Sequence, residues 1–444
     1  MTRGRGHALL AAIVATIAAL SVALYAGVAA DDGTAHRAGP PGSPHPHNSA
    51  APASTGNWVG TWATAPAGAE PGTEATGLAG RSVRNVVHTT VGGTSARITL
   101  SNLYGRTPLT ITHASLALAA GDGSAAALPG TMRRLTFAGS PRTVIPSGGQ
   151  VTSDPAPLAV PHDTDVLVTT YSPTPSGPVT YHPHARQTSY LADGDRTEDV
   201  TPAAYTERTP YWRYLTALDV LSPEADGTVV VLGDSITDGV SSTMDADRRW
   251  TDVLAARLRA AREAGRNVPH YGVVNEGISG NRVLTGGRGR PADNPSALSR
   301  FPRDVLGRTG VRAVVVVLGV NDILRHPGAA DPDRILDGLR TLVGQAHARG
   351  LKVVGATVMP FGGHRGHTAA REAVRQEINA EIRAGRVFDA VADFDKALRD
   401  PYDPRRLRSD YDCGDHLHPS DKGYARMGEV FDLDDLKGAA PATL

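Results

Sequence analysis

Residues 228–239 have the sequence TVVVLGDSITDG, and this stretch decides the fold. The apolar run from Val229 to Leu232 is typical of a strand that is buried on both faces of a parallel sheet. A Gly-Asp-Ser turn follows, and a helix-like run begins at Trp250. Ligands of such sheets bind beyond the carboxyl ends of the strands, so Ser235 stands at a candidate site.

The same alternation continues toward the C-terminus and predicts a three-layer α/β domain with a parallel sheet over residues 227–437. The further predicted strands are YGVVNEG (271–277), AVVVVLG (313–319), LKVVGATVMP (351–360) and VFDAVADF (387–394). The predicted helices are WTDVLAARLRAARE (250–263), ALSRFPRDVLGR (297–308), residues 333–348 and TAAREAVRQEINAEIR (368–383).

Upstream, residues 58–221 contain short runs rich in β-branched residues, separated by turn residues and without a long amphipathic pattern. Examples are RSVRNVVHTTV (81–91), SARITLSN (95–102) and DTDVLVTTYS (163–172). Strands at this spacing predict an all-β domain, an antiparallel sandwich.

The N-terminus has the pattern of an export signal. Arg3 and Arg5 precede an apolar run from Ala8 to Ala30, whose last residues are small enough for a signal peptidase. We expect residues 1–30 to be a signal peptide, residues 31–57 to be a flexible Pro/Gly/Ser-rich linker, and the protein to be secreted. An uncleaved signal anchor is the alternative, because the run is also long enough to span a bilayer.

Composition narrows the classes of partner. Lys plus Arg and Asp plus Glu both number 45, so no net charge draws the chain to nucleic acid, and we expect a membrane partner only if the signal is retained. Cys413 is the only cysteine, which excludes an internal disulfide. It could serve as a nucleophile, but Ser235 accounts better for the basic residues nearby.

An Asp-His-Leu-His-Pro segment at residues 415–419 supplies candidate bases for Ser235. A serine hydroxyl becomes nucleophilic when a histidine removes its proton and a third group orients the imidazole. A carboxylate three residues before a histidine can face the other ring nitrogen, which favours Asp415 with His418. His416 and Asp412 are the rival base and rival orienting group.

The segments at the strand ends, GDSITDG (233–239), GISGN (277–281), GVND (319–322) and DHLHP (415–419), together resemble the SGNH hydrolases, also called the GDSL lipase/acylhydrolase family. The resemblance covers about residues 227–431. It implies a flavodoxin-like fold, a Ser235–His418–Asp415 triad, and an oxyanion hole formed by the backbone amides of Ser235 and Gly280 and the side chain of Asn321.

Several neighbouring residues have simpler interpretations. Taken alone, Gly280 could be an ordinary turn glycine and Asn321 a helix cap. Asp234 and Asp238 flank the serine, and we interpret them as local turn and helix-start hydrogen bonders. The serine chemistry needs no cofactor and no metal.

The resemblance implies a serine esterase acting on short-chain or acetyl esters, with carbohydrate esters as one class of substrate. A lipase or phospholipase is one alternative, a peptidase another, and a non-catalytic carbohydrate-binding protein a third. The loop at residues 359–364 is predicted to shape the acyl or alcohol site, unless it is only a Gly-rich connector.

The role of the β domain is open between sugar binding and a contribution to the active site. Its clustered aromatic residues could stack on sugars if exposed, or form the sandwich core. The polar segment at residues 181–187 (YHPHARQ) could instead reach the catalytic mouth. The aromatic residues concerned are Trp58, Trp62, Tyr181, Tyr190, Tyr205, Tyr211, Trp212 and Tyr214.

Overall fold

The computed structural model describes residues 56–287, 294–326, 328 and 330–438, which belong to one compact unit. The predicted signal peptide and nearly all of the predicted linker lie outside the described residues. No helix among the described residues combines the length and the apolar character needed to cross a membrane.

The N-terminal region is built from antiparallel sheets, which confirms the predicted β domain. Its strands are β1 (Asn57–Ala63), β2 (Gly68–Ala69), β3 (Arg81–His88), β4 (Ser95–Ser101), β5 (Leu109–Ile111), β6 (His113–Leu118), β7 (Arg133–Arg134), β8 (Thr143–Ile145), β9 (Gln150–Thr152), β10 (Asp165–Ser172), β11 (Thr180–His182), β12 (Ser189–Asp193), β13 (Glu207–Thr209), β14 (Trp212–Arg213) and β15 (Leu215–Ser222).

Two of these sheets enclose the β core. One has the strand order β1-β15-β4-β9 and the other β13-β12-β3-β10-β6-β7. Both contribute fully buried aliphatic side chains, such as Ile98 and Leu218 from the first and Val87 and Val168 from the second, to one apolar cluster. This is the two-layer arrangement that the alternating strand pattern predicts.

The C-terminal region contains a five-stranded parallel sheet in the order β17-β16-β18-β19-β20. This is the 2-1-3-4-5 order of the flavodoxin-like fold, so the predicted fold class is confirmed. The strands are β16 (Gly227–Gly233), β17 (Tyr271–Gly277), β18 (Val311–Val317), β19 (Lys352–Ala356) and β20 (Ala390–Ala392).

The last strand is shorter than the predicted run of residues 387–394. The side chain of Asp389 accepts a hydrogen bond from the Val353 backbone amide (2.7 Å), and Asp393 accepts one from the amide of Lys396 at the start of the next helix. The two aspartates therefore end the strand on both sides.

Helices follow the strands, and their apolar faces join the strand residues in one large core. They are α1 (Ser235–Asp238), α2 (Trp250–Glu263), α3 (Ala297–Phe301), α4 (Val320–Leu324), α5 (Pro332–His347), α6 (Ala369–Arg383), α7 (Phe394–Leu398) and α8 (Asp421–Val430). A π-helical turn (Pro302–Leu306) continues α3, and a 3-10 helix (Leu433–Leu436) follows α8.

The two regions pack directly on each other along β1 and the edge of the parallel sheet. The amide of Gly60 in β1 donates to Thr228 Oγ1 (2.9 Å), and the amide of Val273 in β17 donates to Thr90 Oγ1 (3.1 Å). A Cβ atom on Gly272 would lie 2.1 Å from the carbonyl oxygen of Gly60, so only glycine permits this approach. The β region therefore covers the edge strand of the sheet.

Candidate active site

Ser235 is the first residue of α1, immediately after β16, and it is 7% exposed. Asp234 caps this helix by accepting a hydrogen bond from the amide of Ile236 (3.0 Å), as expected for a helix-start residue. A Cβ atom on Gly277 would lie 2.3 Å from the Asp238 amide nitrogen. The glycine at the end of β17 thus lets the serine turn approach the neighbouring strand closely.

His418 and Asp415 form a continuous hydrogen-bonded chain with Ser235. His418 Nε2 lies 2.9 Å from Ser235 Oγ, and His418 Nδ1 lies 2.6 Å from Asp415 Oδ2. The other carboxylate oxygen of Asp415 accepts from the backbone amides of Leu417 (2.9 Å) and His418 (2.8 Å). These bonds hold the carboxylate against Nδ1, so that Nε2 faces the serine.

The rival pair, Asp412 and His416, has no hydrogen bond to Ser235 among the described residues. His416 Nδ1 bonds to Asp412 Oδ2 (2.6 Å), so the segment contains two parallel Asp–His pairs. Of these, His418 is the histidine that the structure joins to the serine hydroxyl. Cys413 is an exposed residue, but its thiol loses part of its contact with water. This desolvation raises the pKa of the thiol and disfavours the thiolate that a nucleophile requires.

The pKa values of Asp415 and Asp234 shift in opposite directions. Partial burial opposes ionisation of Asp415, but the hydrogen bonds from His418 outweigh it and lower the pKa well below its usual value. Burial raises the pKa of Asp234 to about 7. Asp415 is therefore the carboxylate that remains charged and can stabilise a protonated His418.

Gly280 and Asn321 follow β17 and β18, the strands on either side of β16. Gly280 has a left-handed backbone (φ 81°), which favours glycine. The buried Nδ2 of Asn321 lies near Asp234 but forms no hydrogen bond of ordinary geometry within the described part of the chain. An unsatisfied buried donor beside the serine can serve an oxyanion.

Arg325 fixes the orientation of the Asn321 side chain. Its Nε donates to Asn321 Oδ1 (3.0 Å), and a guanidinium can only donate, so the amide oxygen faces Arg325 and Nδ2 faces away. The same guanidinium lies against Gly280, where an added Cβ would be 2.9 Å from Nη2. Burial and the nearby Arg282 lower the pKa of Arg325, though not enough to discharge a guanidinium.

A network of buried side chains holds the turn that carries Gly280. Asn294 Nδ2 donates to the carbonyl oxygen of Ser279 (3.1 Å), while its Oδ1 accepts from Asn281 Nδ2 (2.7 Å). Arg300, itself 1% exposed, donates to Asn281 Oδ1 and to the carbonyl of Gly233 (3.0 Å). The Gly280 turn and the serine turn are therefore tied to one guanidinium.

Asp238 is not a local helix-start residue, and that interpretation was wrong. Its Oδ1 lies 2.9 Å from His182 Nε2 of the β region, and its Oδ2 accepts from the amide of Ser279. Tertiary packing brings these partners together from other segments of the chain. His182 is a site residue that sequence reasoning did not single out, and the only signal for it was the polar density of residues 181–187.

The same segment approaches the histidine. His184 interacts electrostatically with His418, and burial lowers the pKa of His184. His364, in the loop after β19, is also close enough to His418 and Asp415 for its charge to interact with theirs. Residues 181–187 and the loop at 359–364 therefore both lie near the catalytic mouth.

The clustered aromatic residues of the β region serve mainly as core. Trp58 and Tyr211 are half-buried, and the others are at most 8% exposed. The buried ones are unavailable for stacking on sugars. They are Trp62, Tyr181, Tyr190, Tyr205, Trp212 and Tyr214.

Among the residues that the structure describes, two groups of side chains could supply metal ligands. In the first, His88 Nδ1 lies 3.0 Å from Asp165 and 3.2 Å from Asp247, and these carboxylates overcome burial to raise the pKa of His88 to about 9. Protonated His88 thus supplies the positive charge that the two carboxylates of this group contact. The second group is Asp412, Cys413 and Asp415, whose two carboxylates already bind His416 and His418.

The model of the GDSL-like lipase/acylhydrolase family matches residues 231–426, a range that contains all five predicted site residues. The chain carries a GDSL-like lipase/acylhydrolase domain. It is accordingly a carboxylic ester hydrolase, and the family resemblance drawn from the sequence is confirmed. No curated protein matches the sequence.

Several solved structures resemble a little less than half of the chain. An acetyl xylan esterase is 19% identical, with a TM-score of 0.35, and covers 46% of this chain and 96% of its own. A carbohydrate acetylesterase from Sinorhizobium meliloti is 19% identical (TM-score 0.35; 46% and 95%). A member of the lipolytic protein G-D-S-L family from Veillonella parvula is 17% identical (TM-score 0.34; 46% and 94%).

Proposed function

We propose that this protein is a secreted serine esterase in which Ser235 is the nucleophile, His418 the general base and Asp415 the group that orients His418. The observation that carries the proposal is the contact between His418 Nε2 and Ser235 Oγ at 2.9 Å, with Asp415 on the opposite ring nitrogen. This is the arrangement in which a neutral imidazole can accept the serine proton.

In the first step His418 accepts the proton of Ser235 Oγ as the oxygen attacks the ester carbonyl. The amides of Ser235 and Gly280 and Nδ2 of Asn321 donate to the resulting oxyanion, each contributing roughly 3 kcal/mol of barrier lowering. The tetrahedral intermediate collapses, the alcohol leaves with the proton from His418, and an acyl-Ser235 ester remains. Water, deprotonated by His418, then releases the acid and restores the serine.

The side chains near the reacting atoms favour acetyl and other short acyl groups, including carbohydrate-linked acetyl esters. Arg325 lies against Gly280, and His184 and His364 lie near His418, so three charged or polar side chains lie close to the site. A long alkyl chain would need an apolar surface in their place. Hydrolysis of longer acyl chains by a lipase is the second candidate, motivated by the family's name.

The test compares hydrolysis of p-nitrophenyl acetate, butyrate and palmitate by the wild-type protein, Ser235→Ala and His418→Ala. We expect the highest kcat/KM on acetate, and a loss of at least about 10³-fold in both variants. Activity that survives Ser235→Ala would refute the nucleophile. A kcat/KM that rises with chain length would replace the short-chain assignment by that of a lipase.

Secretion rests on the sequence of residues 1–30. We expect the full chain, expressed in a bacterial host with a general export pathway, to appear in the exported fraction with a new N-terminus near residue 30. N-terminal sequencing checks this. Recovery of a membrane-bound chain that begins at Met1 would instead establish the anchor.

A further inference from the structure

His182 lies at the end of β11 in the β region, yet it binds the helix that carries Ser235. Its Nδ1 lies 2.9 Å from the carbonyl oxygen of Ala65, and its Nε2 lies 2.9 Å from Asp238 Oδ1. Both partners are hydrogen-bond acceptors, a backbone carbonyl on one side of the ring and a carboxylate on the other. The side chain of His182 is 3% exposed and that of Asp238 is 2% exposed, so the contact between them is fully buried.

The other oxygen of Asp238 holds the turn after β17. Asp238 Oδ2 accepts from the amide of Ser279 (2.9 Å) and from Ser279 Oγ (2.5 Å). Burial opposes ionisation of Asp238, but the interaction with His182 and the hydrogen bonds from Ser279 outweigh it and lower the pKa of Asp238. The carboxylate therefore connects a residue of the β region to the residue that precedes Gly280 in the chain.

The peptide group that joins Ser279 to Gly280 contains the Gly280 amide assigned to the oxyanion hole. The carbonyl oxygen of this peptide group, that of Ser279, accepts a hydrogen bond from Asn294, and the backbone amide of Ser279 donates to Asp238. Together these bonds set the direction of the Gly280 N–H. Loss of one would let the turn rotate, and an oxyanion donor contributes only when it is already aimed.

We propose that His182 is a positioning residue of the esterase, which aims the Gly280 amide at the oxyanion through Asp238 and Ser279. The proposal rests on the proposed function, because it assumes that Gly280 serves the oxyanion. It gives the β region a role in the catalytic step itself, in place of a separate sugar-binding role.

A second residue reinforces the same contact. Arg249 donates through Nε to the backbone carbonyl of Asp238 (2.9 Å) and through Nη2 to the carbonyl of Ala185, three residues after His182. The β region and α1 are thus joined on both sides of Asp238. The His182–Asp238 contact is built into the interface and does not depend on a mobile surface side chain.

The experiment uses the matched variants His182→Asn and His182→Gln in the full chain. An asparagine amide can replace the donor of Nδ1 toward Ala65 but cannot reach Asp238, whereas a glutamine amide can replace the donor of Nε2 toward Asp238. We expect H182N to lose roughly 10- to 100-fold in kcat on p-nitrophenyl acetate with KM nearly unchanged, and H182Q to stay within about threefold of wild type.

The readout must separate positioning from stability. Rates are normalised by titration of Ser235 with a phosphonate ester, and inhibition by a trifluoromethyl ketone, whose adduct carries the oxyanion, is measured in parallel. The inhibition constant should rise by the same factor as kcat/KM falls in H182N. His113→Asn, in a β-region histidine that pairs with Asp195 and Glu198, is the control and should leave all of these values near wild type.

Equal losses in H182N and H182Q, or wild-type kcat in H182N, would overturn the proposal. If H182N does not fold, Ser279→Ala tests the other side of Asp238, because it removes the bond from Ser279 Oγ while leaving the His182–Asp238 contact intact. We expect S279A to lose about three- to tenfold in kcat, and a wild-type kcat would overturn the proposal equally. Activity that survives Ser235→Ala would refute the proposed function instead, so the two failures are distinguishable.

Discussion

Replacing Arg325 by methionine tests whether a hydrogen bond from outside the oxyanion hole sets the orientation of the Asn321 amide. Methionine keeps much of the length of the arginine side chain but cannot donate to Asn321 Oδ1, which accepts from Arg325 Nε at 3.0 Å in the wild type. Without that donor the amide is free to rotate by half a turn and present its oxygen to the substrate. An acceptor in that position repels the oxyanion.

Two free-energy contributions bound the loss of kcat expected for Arg325→Met. Loss of the whole Asn321 donor, as in Asn321→Ala, costs roughly 3 to 4 kcal/mol, or about 10²- to 10³-fold in kcat. A hydrogen bond to a charged group contributes about 1.5 to 3 kcal/mol, and we take the low end because Arg325 is exposed. Arg325→Met should therefore lower kcat by about tenfold, with KM little changed.

The assay is steady-state hydrolysis of p-nitrophenyl acetate by R325M, N321A and the double variant. If Arg325 acts only through Asn321, the double variant should be no slower than N321A alone. Arg365→Met is the control for charge, because Arg365 is exposed and close enough to affect the pKa of Arg325 but has no hydrogen bond to Asn321. Full additivity of R325M and N321A, or an equal loss in R365M, would refute the reasoning.

Two further predictions concern the histidine pairs. Asp415→Asn should lower kcat by about 10²- to 10⁴-fold, because the amide no longer stabilises protonated His418. Asp412→Asn alters only the His416 pair and should change kcat by less than about fivefold. A larger loss in Asp412→Asn than in Asp415→Asn would assign the role of base to His416. The free energy of unfolding should fall by roughly 3 kcal/mol as pH rises from 6.5 to 9, because the pKa of His88 is raised from 6.5 to about 9 in the folded state and its stabilising charge is lost over that range. Urea titrations at each pH check this, and a His88→Gln variant that retained the full pH dependence would contradict it.

The packing of the β region also bears on how the esterase can be engineered. The range 231–426 begins inside β16 (Gly227–Gly233) and excludes both β1, which packs on the parallel sheet, and His182, which contacts Asp238. Truncation to that range would remove half of the strand before Ser235, expose the edge strand β17 and remove the partner of the Asp238 carboxylate. These effects destabilise the domain.

The sequence by itself determined the α/β domain and three of its site positions. Runs such as VVVL are apolar on both faces, which only a covered parallel sheet can bury, and parallel strands deliver their carboxyl ends to the same edge. Ser235, Gly280 and Asn321 each follow one of three adjacent strands. Their convergence therefore follows from topology, without any knowledge of side-chain packing.

Tertiary structure decided how the Asp–His pairs and the β region meet the serine. The spacing of the segment favours Asp415 with His418 over Asp412 with His416, but the contact of one ring with Ser235 forms only when this turn packs against the end of β16. His182 comes from an antiparallel sheet 53 residues before the serine, and its contact with Asp238 depends on how two cores pack together. Periodicity specifies which face of an element is buried, but the partner of a buried charge is fixed only when the elements meet.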